Sequence, residues 1–596
     1  MRKILSLLLI VLLVMTCACS RSEEKEPKNE TTTTAVEENP FEEFFEITWL
    51  TEENADYIEG RWDETELEEM FNIDLNCWPL DSRNAEQMAA LVAAGDIPDF
   101  FFMPACPRSP EDMYKEQLTR SIHIDMIRNY LPGYYALLER LPVGFKYNLV
   151  EGKDDEYLGL THVNISGCQY FYDATCVNLD WLEAVGYGID PSRLTPVKMT
   201  VEGYEKFNDN IYFTEGNMSF DDLLDIMKKF TEDDPDGNGQ DDTYGMMYLD
   251  YDATVNMSQY GLFGFVEDQN YLYKDPATGN VVPYYAYTPF KDYLKWISDM
   301  LQKGYMRKLP GIDYWYTEYQ QVSLTNRVGI MQINGGGYLN LNSDAYRVLP
   351  PQNILLNTDE NARFVIGPMF RGPNGVAVNK TYNIDPFGTG TWRVQMVGSQ
   401  VSDAELERIL RLLQYTVFSS QDIYLRYQYG IEGIHWKWAG EPYVSNRIST
   451  PRADLPEQYR GKTNVFTLFV YPSVVQQQID NAVNNGYWAY MPYMHAHGLF
   501  EKYALNPEKY RSEVYMGREL YQIFLEINDE VGSEISTVFY DFKQRVIEGE
   551  VADINSEWSQ YIDQLYAAGL QRLVDEIYNN PAFEKYDPGD KFKMKE

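Results

Sequence analysis

Residues 44–103 run FFEITWLTEENADYIEGRWDETELEEMFNIDLNCWPLDSRNAEQMAALVAAGDIPDFFFM. A β-type run at 44–50 is followed by a helical pattern at 64–71, a second strand at 73–78 and a helix over 85–94 that Gly95 closes. After Asp96-Ile97-Pro98-Asp99 comes a third apolar run, Phe100-Phe101-Phe102-Met103. Strands alternating with helices predict an α/β fold, a parallel sheet with helices on its faces. Ligands of such sheets sit beyond the carboxyl ends of the strands. Here those ends lead into 50–56, 79–83 and 104–106.

Helices further along are equally legible. Ser402-x-x-Glu405 and Ser219-x-x-Asp222 are capping boxes, each opening an amphipathic run. From 558 to 577 the spacing sets Trp558, Ile562, Leu565, Tyr566 and Leu570 on one face. There is no internal repeat of the length that marks a solenoid.

The chain has 596 residues, enough for a large core in several domains or two lobes. Its 50 Lys and Arg stand against 91 Asp and Glu, a formal charge of -41. That balance opposes nucleic-acid binding and attraction to anionic lipid, because both need surfaces that neutralise phosphates. Six Cys are too few for a disulfide-stapled scaffold and lack paired zinc spacing.

Arg2 and Lys3 precede an apolar stretch from Ile4 to Met15, interrupted only by Ser6, which has the length of a signal-peptide core and is too short to span a bilayer. Thr16-Cys17-Ala18-Cys19 then resembles a lipobox, with Thr16 where Leu is usual. Residues 1–18 are therefore expected to be a signal peptide and Cys19 the lipidated N-terminus on the outer face of the cytoplasmic membrane, or the start of a secreted protein if it is not lipidated. Residues 20–40 carry no aromatic and six Glu, a composition that cannot offset its own ordering entropy. The expectation is a flexible tether over 19–45.

Asp234-Pro235-Asp236-Gly237-Asn238-Gly239-Gln240-Asp241-Asp242 places oxygens at alternate positions with Gly at the sixth, as an EF-hand-type Ca²⁺ loop requires. Asp234, Asp236 and Asn238 would supply side-chain oxygens, Gln240 a carbonyl and Asp242 the ninth position. Position twelve is Gly245 in place of a bidentate Glu, which suits one structural ion better than a sensor.

Catalytic motifs are mostly absent: Gly461-Lys462-Thr463 imitates the end of a P-loop, but Pro456 stands where its first Gly belongs, and there is no H-E-x-x-H or G-x-S-x-G, whereas 91 acids supply every spacing of a glycosidase carboxylate pair and so decide nothing about one. His495-Ala496-His497 and His435 lack matched acids. Aromatics are abundant, with 48 Tyr, 28 Phe and 11 Trp. A flat apolar face with a polar tip suits stacking on sugar rings.

Landmarks along nearly the whole chain are similar to the extracellular solute-binding proteins of ABC importers, family 1, in the large oligosaccharide-binding lipoprotein branch. Phe71-Asn72-Ile73 with Ala93-Ala94-Gly95-Asp96-Ile97-Pro98-Asp99 resembles the first-lobe signature. The stretch from Ala174 to Leu182, the acidic loop followed by Thr243-Tyr244-Gly245, Gln302 to Met306, Val328 to Met331, Tyr429-Gly430-Ile431-Glu432-Gly433-Ile434-His435, and Glu548-Gly549-Glu550 before Trp558 follow in the family's order.

The resemblance implies a periplasmic-binding-protein-like fold, with residues 46–172 plus 380–440 as lobe one, 173–379 plus 441–596 as lobe two, and a ligand cleft between them that closes by hinge motion. It further implies no catalysis, an oligosaccharide ligand, a structural Ca²⁺, importer permease subunits as partners and a monomer. The cleft is expected to be lined by Trp49, Asp81, Met103, Glu432 and Trp436, facing Tyr170, Tyr172, Tyr248, Tyr251 and Asn334, with Trp436 as the leading stacking residue. The negative charge favours a neutral glycan unless a local basic patch reverses it. A secreted glycoside hydrolase or lyase, and an anchored adhesin, are the alternatives.

Overall fold

The computed structural model describes residues 41–51, 57–163, 173–197, 205–249, 259–309, 315–334, 350–378, 387, 393–438, 440–443, 447–461, 463–467, 493–494, 496–587 and 591. Cys19, the tether up to residue 40, Tyr170, Tyr172, Tyr251 and the Asn334 side chain lie outside the described residues.

The opening pattern folds as its periodicity predicts. Strands Phe45–Leu50, Ile73–Cys77 and Phe100–Phe101 lie parallel, Trp49 standing beside Cys77 on one side and Phe100 on the other. Helices Trp62–Phe71 and Ala85–Ala94 form the crossovers, and Gly95 ends the second with φ at 69°. Val394–Gly398 returns antiparallel to Phe100–Phe101, and Thr119–Arg120 and Leu160–Thr161 pair with it in turn.

A second sheet holds seven strands in the order Met306–Lys308, Tyr244–Tyr248, Val328–Asn334, Asp173–Asn178, Phe364–Gly367, Ile211–Phe213, Thr195–Pro196. Asp173–Asn178 runs antiparallel to both its neighbours. One core cluster of this sheet joins Ala174, Cys176, Met247, Met331, Phe364 and Ile366. Both predicted capping boxes form, the Ser219 and Ser402 hydroxyls accepting from the Asp222 and Glu405 amides at 3.1 and 3.2 Å.

Three features of the packing have physical causes. Beyond residue 440 the chain still touches the first sheet: the Trp49 indole N–H donates to Val465 O at 3.3 Å, Thr416 Oγ1 to Phe466 O at 2.8 Å, and Asn464 N to Tyr427 O at 3.0 Å. Packing of the Trp49 ring on Phe466, centroids 5.7 Å apart, holds this segment there.

Secondly, much of the aromatic excess fills a core. Beside the antiparallel ribbon Val281–Pro283, Tyr271–Lys274 and Lys509–Tyr510, the rings of Tyr260, Phe265, Tyr273, Tyr284, Phe290 and Tyr293 interlock. The helix Arg518–Ile547 contributes Phe539 to the same assembly. Burial pushes the phenols of Tyr260, Tyr273 and Tyr284 far above their ordinary range, as expected of rings kept from water.

Thirdly, the last helix, which begins at Ile554–Leu565, buries Trp558, Tyr561, Leu565 and Ala568, whereas Ile562 is only half-buried. Tyr561 takes the place expected for Ile562 because its ring stacks on Phe542 at 4.1 Å and its hydroxyl donates to Tyr285 O.

Candidate ligand and cation sites

Several residues expected at the cleft are core residues. Trp49 is 0% exposed and its ring lies against Phe100 at 4.6 Å. Met103 is buried with Leu50, Met88 and Phe101, and Tyr248 is 0% exposed within its strand. A sheet covered on both faces buries apolar side chains even at strand ends, so none of these three offers its side chain to a ligand. Asp81 is partly exposed and caps a turn, Oδ1 accepting from Arg83 N at 3.0 Å. Glu432 is exposed.

The Gly-Glu-Gly segment forms a compact turn. Gly430 and Gly433 have φ of 89° and 82°, and a Cβ on Gly430 would stand 2.4 Å from His435 Cγ, so only glycine fits. His435 Nδ1 accepts from Ile431 N at 2.9 Å. Its Nε2 lies 3.1 Å from Tyr459 O, an acceptor only, which places the proton on Nε2. Burial pulls the His435 pKa down and favours this neutral form.

From this turn the ribbon Trp436–Trp438 pairs antiparallel with Arg447–Ser449, setting Trp438 opposite Arg447 and Trp436 opposite Ser449. All four lie on one face of the ribbon, since side chains alternate. Trp436 is only 4% exposed; its indole N–H donates to Gly430 O at 2.8 Å, and Trp438 meets it edge-on at 5.1 Å. Trp436 is therefore a buried wall, its ring face turned to the protein and not to solvent.

What Trp436 walls is a cavity of about 610 Å³, bordered also by Tyr429, His435, Arg447, Arg452, Leu455, Arg460 and Thr463. The Arg447 guanidinium carbon lies 3.9 Å from the Tyr429 ring centroid and 5.9 Å from that of Trp436. Sequence reasoning reached Tyr429 and Trp436 but missed the three arginines, because the ribbon and the short helices Arg452–Asp454 and Glu457–Tyr459 bring them together.

A second cavity, about 580 Å³, is bordered by Arg193, Glu215, Arg371, Lys502 and Tyr503. Its one carboxylate, Glu215, pairs with Lys502 and accepts from the Tyr503 hydroxyl at 2.5 Å, while Arg371 lies over the Tyr503 ring and Arg193 Nη2 donates to Glu215 O at 2.7 Å, so three cations stand against one acid.

The acidic loop leaves the helix Phe220–Glu232 and enters the strand Tyr244–Tyr248. Asp234 carboxylate oxygens accept from the amides of Asn238 and Gly239 at 3.1 and 2.8 Å, and Asn238 Nδ2 donates to both Asp236 and Asp242, at 2.9 and 3.2 Å. Gln240 lies exposed, its amide donating to Asn238 Oδ1 at 2.7 Å. The Gly239 amide holds the Asp234 carboxyl below its ordinary pKa, whereas burial and Asp234 itself push Asp236 up. Among the described residues no group of three or more His, Cys, Asp or Glu gathers as a metal-binding set, and in the acidic loop the Asn238 amide bridges Asp236 and Asp242. Nor, among the described residues, is any helix long and apolar enough to cross a membrane.

No family model matches the chain. The polygalacturonan/rhamnogalacturonan-binding protein YtcQ of Bacillus subtilis is 27% identical over 224 residues, 37% of this chain and 39% of its own length. The chain thus matches about two fifths of that curated relative. An HMO-binding, ABC-transporter-associated solute-binding protein from Bifidobacterium longum infantis superposes over 89% of this chain and 97% of its own, at a TM-score of 0.56 and 14% identity. An EF-hand mutant of the ABC-transporter substrate-binding protein FusA of S. pneumoniae, solved with fructo-nystose, covers the same shares at 0.56 and 16%. Likeness across nearly the full length of both chains establishes the architecture: this chain has the two-lobed fold of the extracellular solute-binding proteins of ABC importers.

Proposed function

We propose that this protein captures an oligosaccharide between its lobes and delivers it to the membrane subunits of an ABC importer, without altering it chemically. The observation that carries the reading is the full-length match to two-lobed binding proteins for saccharides, reinforced by the partial sequence match to a polygalacturonan/rhamnogalacturonan-binding protein. The lobes would divide near 46–172 plus 380–440 and 173–379 plus 441–596, with residues 447–467 counted with lobe one for the contacts given above. Asp81 and Glu432 are the accessible members of the expected lining, to which Tyr170, Tyr172, Tyr251 and Asn334 would add. Cys19 would anchor the protein, as a monomer, on the outer face of the membrane.

The acidic loop fits a hard cation. Its oxygens belong to hard donors, two carboxylates crowd one another, and the Asn238 amide nitrogen takes the donor place that a cation would fill. Turning that amide would offer its oxygen instead. Asp234, Asp236, Asn238, the Gln240 carbonyl and Asp242 would hold one Ca²⁺ in a structural role.

Calorimetric titration with a panel of oligosaccharides, with chromatography of the recovered sugar, tests the capture reading. Saturable heat with intact sugar is expected. Cleaved products would establish the glycoside hydrolase or lyase alternative instead.

A further inference from the structure

We infer that the cavity at Arg447 binds a carboxylate of the saccharide, so that the captured ligand is a uronate-bearing oligosaccharide; the inference rests on the capture reading above. Cations are scarce in a chain of charge -41, yet three arginines border this one cavity. No Asp or Glu side chain lines it among the described residues.

Arg447 is built as a fork. Its guanidinium carbon lies over the Tyr429 ring, 3.9 Å from the centroid, and 5.9 Å from the centroid of Trp436, cation–π contacts that hold the group without using a carboxylate. It forms no ion pair with a carboxylate among the described residues. Register fixes it as well, since it stands opposite Trp438 in the ribbon. Arg460 is steadied by main-chain carbonyls, Nε donating to Leu455 O at 2.8 Å and Nη2 to Ala453 O at 3.3 Å, and meets no carboxylate among the described residues.

Paired with a planar carboxylate, such a fork makes two parallel charge-assisted hydrogen bonds, which is why the carboxylate of a uronate suits it better than a hydroxyl. The acidity of the whole molecule does not forbid this, because at physiological salt charges more than about 8 Å away are largely screened. The local basic patch thus reverses the preference for a neutral glycan that overall charge suggests.

The test compares trigalacturonate with its fully methyl-esterified form by calorimetry on the full-length protein, the Arg447→Gln and Arg460→Gln variants, and Arg447→Lys. The acid should bind at least about tenfold more tightly than the ester, the loss of one charge-assisted pair. Arg447→Gln should erase that preference, and Arg447→Lys should restore it only in part because the fork is lost. Melting curves identify any variant that fails to fold, in which case Arg460→Gln carries the test. Equal affinity for acid and ester, or a preference that survives both glutamine variants, overturns the inference and leaves capture of a neutral oligosaccharide intact. A tighter sulfated trisaccharide of equal charge would overturn the carboxylate assignment. Failure of every saccharide, acidic or neutral, to bind would overturn the capture reading itself.

Discussion

Thr48 and Asp99 close on each other across neighbouring strands: the Thr48 amide and hydroxyl both donate to Asp99 Oδ2, at 2.8 and 2.7 Å, and the Asp99 amide returns a bond to Thr48 Oγ1 at 2.8 Å. Gln400 Nε2 donates to the other carboxylate oxygen at 2.6 Å and to Ile97 O at 2.9 Å. One side chain therefore fastens the first, third and returning strands of the first sheet, which gives the Asp96-Ile97-Pro98-Asp99 stretch a structural role.

Replacing Asp99 with Ala strands these donors in a buried place. Asp99→Ala should lower stability by about 3 kcal/mol, the scale for hydrogen bonds to a charged group, as read from urea unfolding. A loss below about 0.5 kcal/mol, typical of an unremarkable surface site, would show that the carboxylate is not the fastener.

Glu267 is held inside the aromatic assembly by Tyr260, by Tyr284 at 3.2 Å and by the buried Lys543 ammonium at 3.3 Å. Lys543→Met leaves that carboxylate without its counter-charge and should cost about 3–5 kcal/mol. Adding Glu267→Gln removes the uncompensated charge and should recover part of the loss. A double variant no better than the single one would assign the cost to packing and not to charge.

Legibility of the fold follows from locality. The alternation in 44–103 is readable because period two and period 3.6 replace each other within short windows, and the acidic loop is readable because its donors are sequence neighbours. The burial of Trp49 and Trp436 is illegible for the opposite reason: a strand-end ring looks the same in sequence whether it meets solvent or another ring. The Tyr excess suits sugar stacking, yet Tyr260 packs on Tyr293, Tyr273 on Tyr287 and Tyr284 on Tyr285 within the protein. Arg447, Arg452 and Arg460 share a cavity only through the turn at Gly430 and Gly433 and the short helices after it, a convergence that no fixed spacing announces.

The burial of Trp436 changes what its substitution should do. Trp436→Ala should destabilise the protein by about 3–5 kcal/mol through cavity formation, so any loss of sugar affinity must be read with unfolding measured alongside. Trp436→Phe keeps most of the buried area and forfeits the indole bond to Gly430 O, for which about 1 kcal/mol is expected. An alanine variant with unchanged urea midpoint would mean the ring is more exposed in solution than its 4% here.

The acidic loop carries a charge cost whose pH dependence can be signed. Asp236 has a raised carboxyl pKa, so without a cation the folded loop retains a proton that the unfolded chain has already released. That destabilisation is absent below the unfolded value, about 3.8, and is complete once the pH exceeds the raised one. Asp234 has the opposite sign: its pKa is lowered, so its contribution is present above about 3.8 and is lost as the pH falls through the depressed value. At neutral pH both carboxylates are charged and a divalent cation relieves their repulsion. Millimolar CaCl₂ should therefore raise the melting temperature clearly near pH 7 and little near pH 4, by mass action on the native state. Asp236→Asn should raise the calcium-free melting temperature and reduce the shift that CaCl₂ produces, while sugar affinity stays the same. A chelator that abolished sugar binding while leaving the melting temperature fixed would move the ion from the loop to the ligand site.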